Sequence, residues 1–185
     1  DRLYCDRENS ERRRASQTAM NSVVDVLTRL LAPILAFTAE EAWEHAGREG
    51  SVHEQDFPVP DQRFDGREAT DKVDKLIELR EVIQNAIEPE VQAKLFNKNN
   101  EAAVELTLPA EHELRGLLND RDFFTEFFII SDLELNEGDK ISAKAKKTEH
   151  PMCPRCRRYE PLASTGAPEK GGLCRRCEEV ISSAE

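Results

Sequence analysis

No run in this chain is apolar enough to cross a bilayer. The longest, Leu30 to Thr38, falls far short of the roughly 20 residues a spanning helix needs. Asp1, Arg2 and Leu3 do not begin an apolar signal region, so neither a membrane nor a secretory role is expected, and a cytoplasmic location is. Aromatic residues are scarce at 6%, with one Trp and two Tyr. A P-loop, a G-x-G-x-x-G turn and a catalytic His cluster are all missing, so no catalytic residue is expected here. The first Met is Met20, which reads as a piece of a longer protein with its catalytic motifs upstream. Cationic side chains are also in deficit, 26 against 37 acidic ones, for a net charge of -11 over 185 residues. Taken whole, that balance argues against a nucleic-acid partner.

The distribution of charge points the other way. Residues 140–176 hold ten Lys or Arg against three Glu, a net of +7, whereas residues 15–139 carry 11 basic and 27 acidic groups. The basic part coincides with four of the five cysteines. Cys153-Pro154-Arg155-Cys156 is followed, 17 residues on, by Cys174-Arg175-Arg176-Cys177. Two C-x2-C knuckles at this separation let four thiolates converge tetrahedrally at about 2.3 Å on zinc, with no ligand position left open for catalysis. The metal is therefore structural, and it lowers the local net charge to about +5. A redox pair is the alternative, but neither pair has a thioredoxin-like βαβ context. Gly171 and Gly172 offer backbone freedom before the second pair, and His150 reads as a solvated residue before a replacement for one of the thiolates.

Residues 148–185 have few large apolar side chains, so the metal supplies much of the folding energy of this tail. The rigid knuckles would display Arg155, Arg157, Arg158, Arg175 and Arg176, with Lys144, Lys146 and Lys147 just before them. Guanidinium forks suit phosphates and base edges; a solvated basic surface is the bland alternative. Cys5 reads as an ordinary thiol, His45, His53 and His112 as surface or core residues, and Trp43 as core.

Elsewhere the pattern is helix-rich. Apolar residues at 19, 20, 23, 24, 27, 30 and 31 predict a one-face-buried helix from Ser10 to about Ala32, stopped or kinked at Pro33. Thr38-Ala39-Glu40-Glu41 reads as a capping box opening a second helix that closes near Gly47. A Pro/Gly-bearing connection to Gly66 follows, then a helix over about 70–88 stopped by Pro89. Val104, Leu106 and Leu108 alternate with polar residues as in a strand. Residues 111–128 predict one or two helical pieces with four Phe facing a core, and 129–135 and 140–147 predict strands.

These segments match a known family in order. Asp1-Arg2-Leu3-Tyr4-Cys5, Arg12-Arg13-Arg14 and the stretch from Leu30 to Trp43 resemble the helical anticodon-binding domain of bacterial isoleucyl-tRNA synthetases. Ser51 to Pro58 resembles the exit from that domain, Lys94 to Val104 its next subdomain, and the four-Cys tail its C-terminal zinc finger. The Trp that the family often carries after the second Cys is Arg157 here. The resemblance implies a mainly α chain with a small α+β subdomain. Its parts would be the C-terminal part of a helical anticodon-binding domain over 1–60, a small α+β linker subdomain over 61–138, and a zinc-ribbon-like finger over 139–185. It further implies Cys153, Cys156, Cys174 and Cys177 on one structural zinc, and tRNA(Ile) held at the anticodon side by the basic tail. ATP and Mg would act only in the absent catalytic domain of a ligase that charges tRNA with isoleucine. No membrane and no obligate protein partner are implied, and the parent would be a monomer. The rival readings are a zinc-ribbon protein-interaction module and a stand-alone tRNA-binding factor.

Overall fold

Ser10 starts the longest N-terminal helix by accepting a hydrogen bond from the Arg13 backbone N–H at 3.3 Å. This is a computed structural model, which describes residues 1–61, 66–163 and 172–182. The chain divides into two compact units, Asp1–Asp65 and Gly66–Glu185. Among the described residues, no helix is long and apolar enough to cross a membrane.

The first unit holds helices α1 (Arg2–Cys5), α2 (Glu11–Leu31) and α3 (Ala36–His45), then a 3-10 turn at Val52–Glu54. Its buried core is small: Ala32, Ala39, Trp43 and Val52. Trp43 donates its indole N–H to the Glu49 carbonyl at 3.3 Å, and the Arg48 guanidinium lies 5.7 Å from the centre of its ring. Two expectations change here. The apolar stripe of α2 is not buried: Met20 is 51% exposed, Val23 54% and Leu27 48%, and Thr28 is the helix's one buried residue. Within this unit α2 packs against α1, α3 and the 3-10 turn, which together are too few elements to cover it. The Thr38 capping box does not form either, because α3 begins two residues earlier, at Ala36. Glu40 instead accepts hydrogen bonds from the Ser51 hydroxyl and the Val52 N–H, both at 2.9 Å, and so clamps the 3-10 turn to the helix.

The second unit is built around a three-stranded sheet of β1 (Ala102–Leu108), β2 (Asp132–Glu137) and β3 (Ser142–Lys147), in the order β2-β1-β3. β1 and β2 run parallel, with Val104 opposite Leu133; β1 and β3 run antiparallel, with Val104 opposite Ala145. Helix α5 (Arg121–Phe128) lies on the crossover from β1 to β2, and helix α4 (Arg67–Gln92) packs against β1 and β3. The alternation in β1 buries Ala102, Val104, Leu106 and Leu108 against Leu76, Leu79, Ile83 and Ile87 of α4 and Phe124 and Phe128 of α5. Phe127 packs partly against this core, while Phe123 stays 37% exposed.

Pro89 does not stop α4, which runs on to Gln92. In the last turn a proline removes one hydrogen bond, while the next turn keeps its own, with Ala93 N–H donating to the Pro89 carbonyl at 2.8 Å. Continuing also brings Val91 onto the core.

Ile129 ends α5 in the left-handed region, at φ 59 and ψ 52, a conformation that costs a β-branched residue roughly 1–2 kcal/mol. Its side chain is 50% exposed, so little burial offsets the strain. Ile129→Gly is expected to raise stability by about 0.5–1 kcal/mol after the glycine's larger unfolded-state entropy is counted. A urea midpoint that falls instead would show that the isoleucine's packing outweighs its strain.

Candidate metal centre and its basic surround

The two Cys pairs reach the same point from different local structures. The first lies in a hairpin closed by the bridge between Met152 and Tyr159, with the Cys153 N–H on the Arg158 carbonyl and the Arg157 N–H on the Cys153 carbonyl, both at 2.8 Å. Arg157 turns the chain at φ 60. The second pair opens a helix that the sequence pattern did not predict, α6 (Arg175–Ser182), with Cys174 just before it and Cys177 in its first turn. Gly172 is needed for proximity rather than for freedom: a Cβ there would sit 3.0 Å from the Ala163 carbonyl oxygen. Gly171 lies outside the described residues.

All four sulfurs lie within 4.8 Å of one another, and those of Cys156 and Cys174 are 3.7 Å apart. A tetrahedron of thiolates about 2.3 Å from a central ion has edges of about 3.8 Å, so the spacing fits a four-coordinate divalent cation. None of the cysteines is in a disulfide. Cys153, Cys174 and Cys177 are fully buried, and the apolar residues beside them are the partly buried Leu162 and Leu173. Burial pushes the Cys156 thiol up to about 12 and that of Cys174 higher still. Cys153 also feels burial, but the backbone N–H groups of Cys156, Cys174 and Arg155 outweigh it and bring its thiol down to about 7. The fold thus favours the Cys153 thiolate, whereas Cys156 and Cys174 are held as thiols unless a cation draws the proton off. His150 is not in the group; its Nε2 lies 3.9 Å from Asp132.

The eight basic candidates separate by their partners. Arg155 donates from Nη1 to the Cys177 sulfur at 3.4 Å. Arg158 lies between Glu126 at 3.6 Å and Glu160 at 3.4 Å. Lys146 bonds Glu105 at 2.8 Å, which raises the lysine's pKa and lowers that of the glutamate through the hydrogen bond and the charge together. Arg175 is 84% exposed and 3.7 Å from Glu179. Lys144, Lys147 and Arg157 are exposed, and Arg176 is half-buried. Two residues missed in the sequence hold the first knuckle to the body of the unit: Glu126 through Arg158, and Asn100, whose side-chain amide donates to the Arg157 carbonyl at 3.4 Å. No local motif marks either of them, because each acts across a long sequence separation.

Residues 1–106 match the family described as the anticodon-binding domain of tRNA ligase. The chain belongs to that family. Isoleucine–tRNA ligase of Methylacidiphilum infernorum is 34% identical over 183 residues, covering 98% of this chain and 20% of the relative. That of Persephonella marina is 33% identical over 204 residues, covering all of this chain and 21% of the relative. That of Carboxydothermus hydrogenoformans is 34% identical over 193 residues, with 98% and 20% covered. The anticodon-binding chain therefore spans about a fifth of the length of the curated relatives it matches, and that match runs through the cysteine-bearing tail beyond residue 106.

Proposed function

We propose that this chain is the tRNA-recognising part of an isoleucine–tRNA ligase acting in the cytoplasm. It holds one structural zinc on Cys153, Cys156, Cys174 and Cys177 and binds tRNA(Ile) at the anticodon side. One observation carries the reading: a four-sulfur cluster of tetrahedral spacing lies in the same chain as an anticodon-binding match, in a sequence that aligns with isoleucine–tRNA ligases over 98% of its length. Zinc is the fitting ion because four thiolates at this spacing suit a soft divalent cation that takes tetrahedral geometry. When bound, the ion supplies charge and cross-linking, and its four protein ligands leave no position for substrate. ATP and magnesium would act in the part of the ligase outside this chain.

The chain's own side chains do the recognising. Exposed Arg157, Lys144 and Lys147, with Arg175 at the start of α6, suit backbone phosphates and splayed loop bases, the parts of an RNA hairpin that carry charge and sequence. Arg155, Arg158 and Lys146 face sulfur or carboxylate oxygens, so their share in RNA binding is smaller. The parts proposed for this role are the helical segment over 1–60, the subdomain over 61–138 and the finger over 139–185.

Titration at one fixed near-physiological salt against isoleucine tRNA, an anticodon-swapped copy and an unrelated tRNA tests the reading, since the phosphate contribution varies steeply with salt. Base readout at 1–3 kcal/mol per contact predicts a preference for the native anticodon of about tenfold or more. Equal affinity for all three would reduce the chain to a phosphate clamp and overturn anticodon recognition.

A further inference from the structure

The four sulfurs do not receive their hydrogen bonds from the same kind of group. Cys153 is served by the backbone N–H groups of Cys156, Cys174 and Arg155, with the Cys174 N–H at 3.5 Å. The Arg158 backbone N–H serves Cys156, and the Cys177 backbone N–H serves Cys174. Cys177 also receives a side-chain donor. It is fully buried in the first turn of α6, and the Arg155 guanidinium reaches its sulfur at 3.4 Å.

That contact joins two separate pieces of chain. Arg155 sits between Cys153 and Cys156 in the first knuckle, whereas Cys177 belongs to the second, 22 residues on. Four thiolates around a divalent cation leave a net charge of about -2 in a buried site, and a permanent cation at one sulfur offsets half of it. Two neighbouring arginines are directed elsewhere: Arg158 toward Glu126 and Glu160, and Arg175 out toward Glu179 at 84% exposure.

We propose that Arg155 is a positioning residue of the metal centre: its guanidinium holds the Cys177 thiolate by an N–H···S bond and links the two Cys pairs, slowing loss of the ion. This rests on the zinc reading above. Groups that orient metal ligands are typically worth 10–100-fold in metal affinity, and a bond between the two ligand pairs is placed to act on release. The consequence for recognition is that a basic residue in contact with the cluster serves the metal before a phosphate.

The test uses the full zinc-loaded chain and measures release to a chromophoric chelator, after zinc content has been confirmed at one per chain. Arg155→Met is expected to release zinc about 10–100-fold faster than the parent. Arg155→Lys, which keeps the charge but not the fork, falls between them. Arg175→Met removes the same charge beside Cys174 and should release at the parent rate. A second readout is the cobalt-substituted chain, in which the thiolate-to-cobalt band should shift in Arg155→Met and stay in place in Arg175→Met. Should Arg155→Met fail to fold by circular dichroism, Arg155→Lys alone must still release zinc several-fold faster than Arg175→Met. Equal release from the Arg155 and Arg175 variants would overturn the proposal while leaving the zinc reading intact. A parent chain that binds well under one zinc would overturn both.

Discussion

Cys177→Ser is expected to remove the metal and unfold the tail from about Thr148 onward. Serine does not ionise near neutral pH, so the fourth ligand is lost, and structural zinc in such sites contributes on the order of 10–16 kcal/mol of apparent binding energy. Among the described residues of this region the buried cluster is Cys153, Cys174 and Cys177, with partly buried Leu162 and Leu173 beside them, while Met152 and Ile181 are 48% and 49% exposed. Stripping the ion with a chelator should give the same state, and acidification should promote it, because ligand thiols must lose protons to bind metal. Atomic absorption should read well under one zinc in the variant, and amide spectra should collapse for residues 150–163 and 172–182 while those of α4 and β1 persist. Full zinc occupancy with an intact tail would show that three thiolates suffice and would place the folding energy elsewhere.

Leu106→Ala should be the most damaging single truncation in the sheet. Leu106 is fully buried on the central strand, flanked in register by Leu135 of β2 and Ala143 of β3. Strands on both sides and α4 on the covered face restrict collapse around the lost methyls, so the cost is about 2–5 kcal/mol. Ile77→Ala, on the same helix as the core residues but 45% exposed, should cost about 0.5 kcal/mol. Urea unfolding of the two variants decides the matter: a lower midpoint at unchanged slope is expected for Leu106→Ala, and equal midpoints would mean that the sheet does not carry the unit's stability.

What could be read from the sequence follows the range of each interaction. The period-2 pattern of β1 is local, and its alternate residues are buried as that pattern requires. The helix start at Ser10 and the doubled Cys spacing are local too. The boundaries that moved are those where tertiary contacts compete with a local signal. Pro89 is outweighed by the packing of Val91 on the core, and the Thr38 cap by a helix that begins at Ala36. The exposed stripe of α2 has the opposite cause: periodicity marks a face as apolar, but it does not supply a neighbour to cover it. The basic residues around the cysteines were legible as a group and not as individuals. Lys146 faces Glu105, Arg158 faces Glu126 and Arg155 faces sulfur, and those partners lie 22 to 41 positions away in sequence.

The strand order bears on how this domain is made. Its middle strand is the first to be synthesised, and both neighbours come later, ending at Glu137 and Lys147. As the chain leaves the ribosome, β1 therefore emerges with two open edges and an apolar face that packs on α4, which precedes it. The parallel pairing with β2 must wait for the whole α5 crossover, a slow kind of closure because the loop entropy comes before the contacts. Until β3 arrives and closes the other edge, the nascent protein presents a template for stray strand pairing. Lysines at 144, 146 and 147 make that last edge strand itself a poor one for further strands to join.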